Sequence, residues 1–155
     1  MTKGNDRIPR ILAISSGGGH WIQMLRLRPA FAGSKVLFAS VGESRAREVA
    51  PAPYCAIPDA NRAQKLKLIW LLTKVSWLLL TFRPDVVVST GAAPGYFAVR
   101  LGRLMGARTL FLDSIANAEE LSLSAHMARR HCDLVLTQWP HLAAKDGPFY
   151  SGSVL

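Results

Sequence analysis

The stretch RILAISSGGGHW, which runs from Arg10 to Trp21, decides the fold of this chain. Arg10–Ser15 is a short apolar run that predicts a buried strand, and His20 to about Arg28 predicts the helix that follows it. The glycines between them are costly to order and contribute nothing to packing. A glycine turn in this position lets the backbone approach a ligand and offers it unpaired N–H groups. The stretch therefore predicts a phosphate-binding turn, with a tight turn that binds no ligand as the alternative.

Strands and helices continue to alternate along the rest of the chain. Further strands are predicted at Lys35–Val41, Tyr54–Ile57, Asp85–Ser89, Thr109–Asp113 and Asp133–Thr137. Helices are predicted over 62–82, from the second glycine turn to near Met105, and over 120–130. Continuous apolar strands that alternate with helices indicate a parallel sheet covered on both faces. We therefore expect an α/β, doubly wound, Rossmann-like fold, with residues 1–155 as a single domain.

The composition of the chain points to an anionic partner. The formal net charge is +9 at pH 7, and between Arg62 and Arg108 the basic residues are opposed only by Asp85. Such an excess favours binding to nucleic acid, to an anionic membrane surface or to a phosphorylated substrate. Cys55 and Cys132 fit no zinc or redox spacing, which favours a reducing cytoplasm, and the first residues lack the apolar core of a signal peptide.

The first glycine turn supplies most of the candidate site residues. It does not match the dinucleotide fingerprint, because Ile22 occupies the third glycine position, and it lacks the lysine of a Walker loop. His20 lies at the predicted helix start, where a neutral imidazole can act as a base or can simply cap the turn. A second turn, TGAAPG, follows the strand at Asp85–Ser89 and is expected to open on the same crevice. The phosphate-binding candidates from the two turns are Ser15, Ser16, Gly17, Gly18, Gly19, Thr90, Gly91 and Gly95.

Polar residues also follow the predicted strand at Thr109–Asp113. Asp113 is a second acid–base candidate across the crevice, or a turn acceptor for the segment beyond it. His126, His131 and His141 share no metal-ligand spacing, so no metal site is expected.

The helix predicted over 62–82 combines basic, aromatic and aliphatic residues. Lys67 and Lys74 fall on one stripe that Trp70 and Trp77 flank, and the charges interrupt any membrane span. These four residues are candidates for contact with a lipid interface. A core helix with a thin solvent stripe and a partner-binding surface are the alternatives. Nucleic acid is disfavoured, because the basic residues alternate with aliphatic ones.

Several segments together resemble a known family. They are SSGGGHWIQM, RPDVVVSTGAAPGYFAVRLGRLMGARTLFLDS, LSLS, DLVLTQWP and YSGSVL. They are similar to Alg14-type glycosyltransferase subunits, to the bacterial exopolysaccharide counterpart PssD, and to the N-terminal half of MurG-type enzymes of GT-B fold. The chain departs from the family pattern of a Glu-Ser pair followed by arginine, and of a glycine after Ser-Leu-Ser. It has Asp113, Ser114, Asn117 and Ala125 at these positions.

The resemblance implies the membrane-associated, acceptor-side half of a split inverting glycosyltransferase. An Alg13/PssE-like partner would hold most of the UDP-sugar donor, no further cofactor is expected, and the acceptor would be a lipid-linked diphosphate sugar at the cytoplasmic face of the cell membrane. Gly17–Gly19 would face the acceptor diphosphate, with His20 as the catalytic candidate and Ser114 and Asn117 as acceptor contacts. The alternative function is a non-catalytic scaffold that recruits the catalytic subunit to the membrane.

Overall fold

The computed structural model describes residues 7–61 and 63–154. Within these ranges the strands are β1 (Arg10–Ile14), β2 (Lys35–Val41), β3 (Tyr54–Ile57), β4 (Val86–Ser89), β5 (Arg108–Leu112), β6 (Leu134–Thr137) and β7 (Phe149–Tyr150). The α-helices are α1 (Gly19–Arg26), α2 (Ala46–Val49), α3 (Lys65–Phe82), α4 (Ala92–Leu104) and α5 (Leu123–Ala128). Short 3₁₀ turns lie at Arg28–Phe31, Glu43–Arg45 and Pro140–Leu142.

The described strands form one parallel sheet of seven strands, in the order β3-β2-β1-β4-β5-β6-β7. The chain moves outward from β1 in one direction through β2 and β3, and β4 then returns to the other side of β1. The order therefore reverses between β1 and β4. This arrangement confirms the predicted doubly wound, Rossmann-like fold.

Helices cover both faces of the sheet, and alternate residues of each strand pack against opposite faces. Leu12 and Ile14 of β1 belong to a core cluster with residues of α3, α4 and α5, such as Val75 and Val99. Ile11 and Ala13 belong to a second cluster, which contains residues of α1 such as Trp21. Strands buried on both sides need apolar residues at successive positions, which explains the continuous apolar runs in the sequence.

Helix boundaries follow from local signals and differ in places from the predicted ones. The helix predicted over 62–82 begins at Lys65, and Arg62 lies outside the described residues. It ends before Arg83, which adopts a left-handed conformation (φ 48°) ahead of Pro84. α5 begins at Leu123, later than predicted, because the Ser122 hydroxyl caps it by accepting a hydrogen bond from the N–H of Ala125 at 3.0 Å.

Two features of the fold were not predicted. The second glycine turn is shorter than expected: α4 begins at Ala92, so Gly95 lies inside the helix. β7 was missed because a strand of two residues leaves no readable pattern in the sequence.

Candidate functional site

The candidate site lies where the strand order reverses. β1 leads into the turn at 15–18 and β4 leads into the turn at Thr90–Gly91, and these strands are neighbours in the sheet. Ligands of open α/β sheets bind at the carboxyl ends of the strands, in the crevice at such a switch point. Both predicted turns therefore lie at the position that the fold favours for a ligand.

The first glycine turn presents free backbone donors. Gly18 precedes α1 with φ 63°, a left-handed conformation that favours glycine, and no side chain caps the helix. Within the described residues, the N–H groups of Gly18, Gly19 and His20 have no hydrogen-bond acceptor. Ser15 below the turn is fully buried, and its hydroxyl has no partner in the described part of the chain. The turn thus has the donors that an anionic group needs.

His20 bridges the two turns. Its Nδ1 lies 2.7 Å from the carbonyl oxygen of Thr90, and the Thr90 hydroxyl donates a hydrogen bond to the carbonyl oxygen of His20 at 2.6 Å. A carbonyl oxygen only accepts hydrogen bonds, so Nδ1 carries the hydrogen of the neutral ring and the lone pair is on Nε2. This contact prepares His20 to accept a proton at Nε2.

Gly91 makes this bridge possible. A Cβ atom at Gly91 would lie 2.5 Å from Nδ1 of His20, and the residue has a φ of 129°. Any side chain here would displace the imidazole from the Thr90 carbonyl. Gly91 therefore positions His20, whereas the hydroxyl of the fully buried Thr90 is occupied by the His20 carbonyl.

A cleft of about 370 Å³ opens beside His20. Its lining is rich in small polar groups and consists of His20, Ala92, Ser114, Ala116, Asn117, Ser122, Leu123 and Ser124. Hydroxyl and amide groups of this kind match a ligand with several hydroxyl groups. The structure thus brings together three predicted site residues, with His20 coming from the start of α1 and Ser114 and Asn117 from the segment after β5.

Asp113 serves as a turn acceptor. Its carboxylate accepts hydrogen bonds from the N–H of Ser114 at 3.0 Å, the side-chain amide of Asn117 at 2.9 Å and the N–H of Ser122 at 2.8 Å. The residue is only 1% exposed. Because both oxygens are engaged and buried, the geometry argues against Asp113 as a catalytic base. It fixes the loop that carries Ser114 and Asn117.

Gly95 does not line the site. It lies within α4, where a Cβ atom would be 1.8 Å from Oγ of Ser89. The residue is a glycine because α4 packs closely on β4, so its proposed phosphate contact is corrected to a packing role. Ser16 connects the first glycine turn to β2 through its backbone, since its carbonyl oxygen accepts a hydrogen bond from the Ser40 hydroxyl at 2.9 Å.

Two buried glutamines below the cleft were missed by the sequence analysis. The side-chain amide of Gln23 donates a hydrogen bond to Oγ of Ser114 at 3.1 Å, and its oxygen accepts one from the amide of Gln138. The amide of Gln138 also donates to the carbonyl oxygen of Asp113 at 2.9 Å. A signal was present, since Gln23 interrupts the buried face of α1 and Gln138 directly follows β6. Together they connect α1 to the ends of β5 and β6.

α3 carries an apolar surface away from the cleft. Leu71, Val75, Leu78 and Leu79 face the core, while Trp70 and Trp77 are 61% and 52% exposed. Further exposed apolar side chains on this helix are Leu66, Ile69, Leu72 and Leu80. Lys74 lies over the indole of Trp77 with its Nζ 4.9 Å from the ring centroid, and Lys67 is exposed. No helix in the described ranges combines the length and apolar content that crossing a membrane requires.

Among the described residues, there is no group of three or more His, Cys, Asp or Glu side chains that could hold a metal ion. Cys55 and Cys132 are free thiols.

The sequence profile of the family described as "Oligosaccharide biosynthesis protein Alg14 like" matches residues 32–154. The chain belongs to the Alg14 family. Among curated proteins, this Alg14-family chain is 25% identical to the "UDP-N-acetylglucosamine transferase subunit ALG14" of Yarrowia lipolytica, with 88% of the chain and 76% of that protein covered. It is 28% identical to the subunit of the same description in Schizosaccharomyces pombe, with 87% and 78% covered.

Solved structures match the fold of this Alg14-family chain at low identity. MurG of Acinetobacter baumannii superposes with a TM-score of 0.74 at 15% identity, over 94% of this chain and 46% of MurG. A UDP-N-acetylglucosamine 2-epimerase of Rickettsia bellii gives 0.71 at 15% identity, over 95% and 45%. The chain thus has the fold of the N-terminal domain of GT-B enzymes such as MurG and spans less than half the length of these two proteins.

Proposed function

We propose that this chain is the acceptor-side subunit of an inverting glycosyltransferase that uses a UDP-sugar, with UDP-N-acetylglucosamine as the first donor to test. The observation that carries the proposal is the bridge from His20 to Thr90. It leaves the lone pair of Nε2 available on a residue that lines a hydroxyl-rich cleft. The names of the Yarrowia and Schizosaccharomyces relatives support the donor.

In the proposed reaction, His20 acts as the general base. Nε2 accepts the proton of an acceptor hydroxyl group, and the resulting oxygen attacks the anomeric carbon of the donor sugar from the face opposite UDP. The bond from that carbon to the UDP oxygen breaks, UDP leaves, and the configuration inverts. The Thr90 carbonyl holds the Nδ1 hydrogen throughout and stabilises the imidazolium that forms.

The acceptor in this proposal is a sugar carried on a lipid diphosphate. The free N–H groups at Gly18, Gly19 and His20 would receive the diphosphate, and Ser114 and Asn117 would contact the sugar. A second wall is needed to hold the donor, because the chain has the fold of one half of a two-domain enzyme. We assign that wall to a separate Alg13/PssE-like catalytic subunit.

A lipid-borne acceptor requires the protein to meet a membrane. We propose that α3 lies on the cytoplasmic face of the membrane through Trp70 and Trp77, with Lys67 and Lys74 reaching lipid phosphates. The same surface favours a second candidate function, in which the chain is a scaffold that only recruits the catalytic subunit to lipid.

Separate measurements of turnover and of partner binding distinguish these functions. The chain is co-expressed with its partner subunit, and transfer from radiolabelled UDP-N-acetylglucosamine to a lipid diphosphate acceptor is assayed. Replacing His20 with Ala should lower turnover at least about a hundredfold while the partner still co-purifies, because general base catalysis contributes at least this much. His126→Ala, an exposed histidine outside the cleft, is the control and should leave turnover unchanged.

Near-normal turnover of His20→Ala would remove His20 from the mechanism. A partner subunit that is tethered to vesicles and transfers sugar equally well without this chain would favour the scaffold function.

A further inference from the structure

Arg45 lies beside the glycine turn, on the side opposite Thr90. It ends the 3₁₀ turn that follows β2, and its side chain is half-buried. Its guanidinium carbon lies over the indole of Trp21, 5.6 Å from the ring centroid, in a cation–π interaction. A Cβ atom at Gly17 would lie 3.1 Å from Nη2 of Arg45. Gly17, which has no side chain, leaves this space beside the turn to the guanidinium.

The guanidinium is held in place without using its hydrogen-bond donors. Within the described residues, the side chain of Arg45 forms neither a hydrogen bond nor an ion pair. The neighbouring carboxylate of Glu48 accepts the indole N–H of Trp21 at 3.1 Å instead. The cation–π interaction with Trp21 thus holds a positive charge beside Gly17, and its planar donors remain available to a ligand.

Several other donors near this charge also lack acceptors in the described part of the chain. They are the N–H groups of Gly18, Gly19 and His20 and the fully buried hydroxyl of Ser15. An unpartnered buried hydroxyl is costly unless a ligand or water satisfies it. A phosphate group offers several acceptor oxygens and negative charge, and the planar fork of arginine matches its geometry.

We infer that Arg45 binds the diphosphate that occupies the glycine turn, with its guanidinium donating hydrogen bonds to the phosphate oxygens. This inference rests on the proposed function, which places a diphosphate at the turn. Arg45 then holds the charge on the β2 side while His20 acts on the β4 side. A diphosphate is present in a lipid-linked acceptor and also in a UDP-sugar, and kinetics separate these sources.

The first test measures binding of inorganic pyrophosphate to the full chain by calorimetry. Arg45→Gln should weaken binding about tenfold or more, because it removes charge-assisted hydrogen bonds, and Arg45→Lys should weaken it less. The matched control is Arg47→Gln, which removes an exposed arginine of α2 two residues away and should change binding less than about twofold. Circular dichroism verifies that each variant is folded. Undetectable pyrophosphate binding by the unsubstituted chain, or equal losses for Arg45→Gln and Arg47→Gln, would overturn the inference.

The second test uses the complex with its partner subunit. Arg45→Gln should raise the KM for the lipid diphosphate acceptor about tenfold with little change in kcat, whereas His20→Ala lowers kcat. A rise in the KM for the UDP-sugar instead would support diphosphate binding by Arg45 and assign the donor as its source. Unchanged KM values for both substrates would refute a role for Arg45.

The two proposals fail in different ways. If Arg45-dependent pyrophosphate binding is observed but the complex transfers no sugar, the proposed function fails and the anion site stands. If transfer depends on His20 but not on Arg45, only the assignment of Arg45 fails.

Discussion

At the residue scale, Gly95 fixes the distance between α4 and the sheet. Its α-carbon faces Ser89 so closely that a Cβ atom would be 1.8 Å from Oγ and 2.9 Å from Cβ of that residue. Both residues lie in a buried interface that cannot expand without moving the helix.

Gly95→Ala is therefore expected to destabilise the chain by about 1–3 kcal/mol, the usual cost of overpacking a core. Thermal or urea unfolding monitored by circular dichroism measures the change. Gly19→Ala is the matched control, since Gly19 also lies in a helix but a Cβ there meets nothing within 4 Å. Equal stability of the two variants would show that α4 can shift at no cost.

Tyr54, which lies near Arg45, makes the stability of the chain depend on pH in the alkaline range. Burial raises the pKa of Tyr54 from 10.0 to about 12, against the opposing effect of the positive charge of Arg45. Its hydroxyl donates a hydrogen bond to the carbonyl oxygen of Ser40 at 2.8 Å, which the ionised phenolate cannot do. The stabilisation that results is complete below pH 10 and is lost as the pH rises towards 12.

Tyr54→Phe should remove this dependence. The free energy of unfolding of the variant is expected to fall less steeply with pH between 10 and 12 than that of the unsubstituted chain. Urea titrations at several pH values provide the measurement, with Tyr150→Phe, an exposed tyrosine, as the control. Identical slopes for Tyr54→Phe and the unsubstituted chain would contradict the assignment.

At the element scale, α3 is apolar on the side that packs and also on the side that does not. One stripe of α3, opposite the buried face, carries exposed apolar residues that are spaced three to seven positions apart. They are Leu66, Trp70, Trp77 and Leu80. A solvent-exposed helix of a globular protein normally carries polar residues there. This stripe supports the proposed contact with a lipid interface.

The double variant Trp70→Ser, Trp77→Ser should bind vesicles of anionic phospholipid about tenfold or more weakly than the unsubstituted chain, since it removes exposed apolar area from the interface. Co-sedimentation with vesicles measures the effect. Ile22→Ser, which removes an apolar side chain that is 51% exposed on α1 at the other face of the sheet, is the control. Similar losses for both variants would show that α3 is not the contact surface.

The buried glutamines connect elements that are far apart in sequence. Besides its bonds to Gln23 and Asp113, Gln138 accepts a hydrogen bond from the N–H of Val154 at 2.9 Å. One side chain therefore links α1, the end of β5 and the residues after β7. Its removal leaves buried donors and acceptors without partners.

Gln138→Ala should cost about 1–3 kcal/mol of stability and should increase hydrogen exchange at the N–H of Val154. Gln64→Ala, at an exposed glutamine before α3, should change stability by less than about 0.5 kcal/mol. The network would have no structural importance if both variants unfolded at the same denaturant concentration.

At the scale of the whole molecule, charge complements the apolar stripe. The formal net charge is +9, and the basic residues Lys67 and Lys74 of α3 lie beside its exposed tryptophans. Attraction of such a surface to anionic lipid contributes about 1 kcal/mol per basic residue near the membrane and is screened by salt. In the proposed membrane contact, charge attracts the molecule to the membrane and the apolar stripe then binds the interface.

Binding to anionic vesicles should therefore weaken as the salt concentration rises. The double variant Lys67→Gln, Lys74→Gln should lower affinity at low salt by about tenfold or more and reduce this salt dependence. Lys35→Gln, Lys145→Gln removes the same charge elsewhere and serves as the control. Equal binding to anionic and neutral vesicles would contradict an electrostatic contribution.

Much of the fold followed from local pattern. β2 and β3 were predicted with the bounds that the structure has, because each combines apolar or β-branched residues with flanking turn residues. The start of α4 was misplaced, since the helix already begins at Ala92, and the start of α5 was misplaced because the cap of Ser122 decides it. At the site, the two glycine turns and His20 were predicted, and their mutual geometry was not.

The sequence by itself determined that this chain forms a parallel sheet with helices on both faces and a glycine turn before His20, because hydrophobic periodicity and glycine act on neighbouring residues. Only the tertiary structure decided that Thr90 selects the tautomer of His20, that Asp113 is a turn acceptor and that Arg45 lies beside Gly17. These contacts join residues that are far apart in the chain. Their partners are chosen by the order of strands in the sheet, and no local pattern encodes the distance between two side chains on different strands.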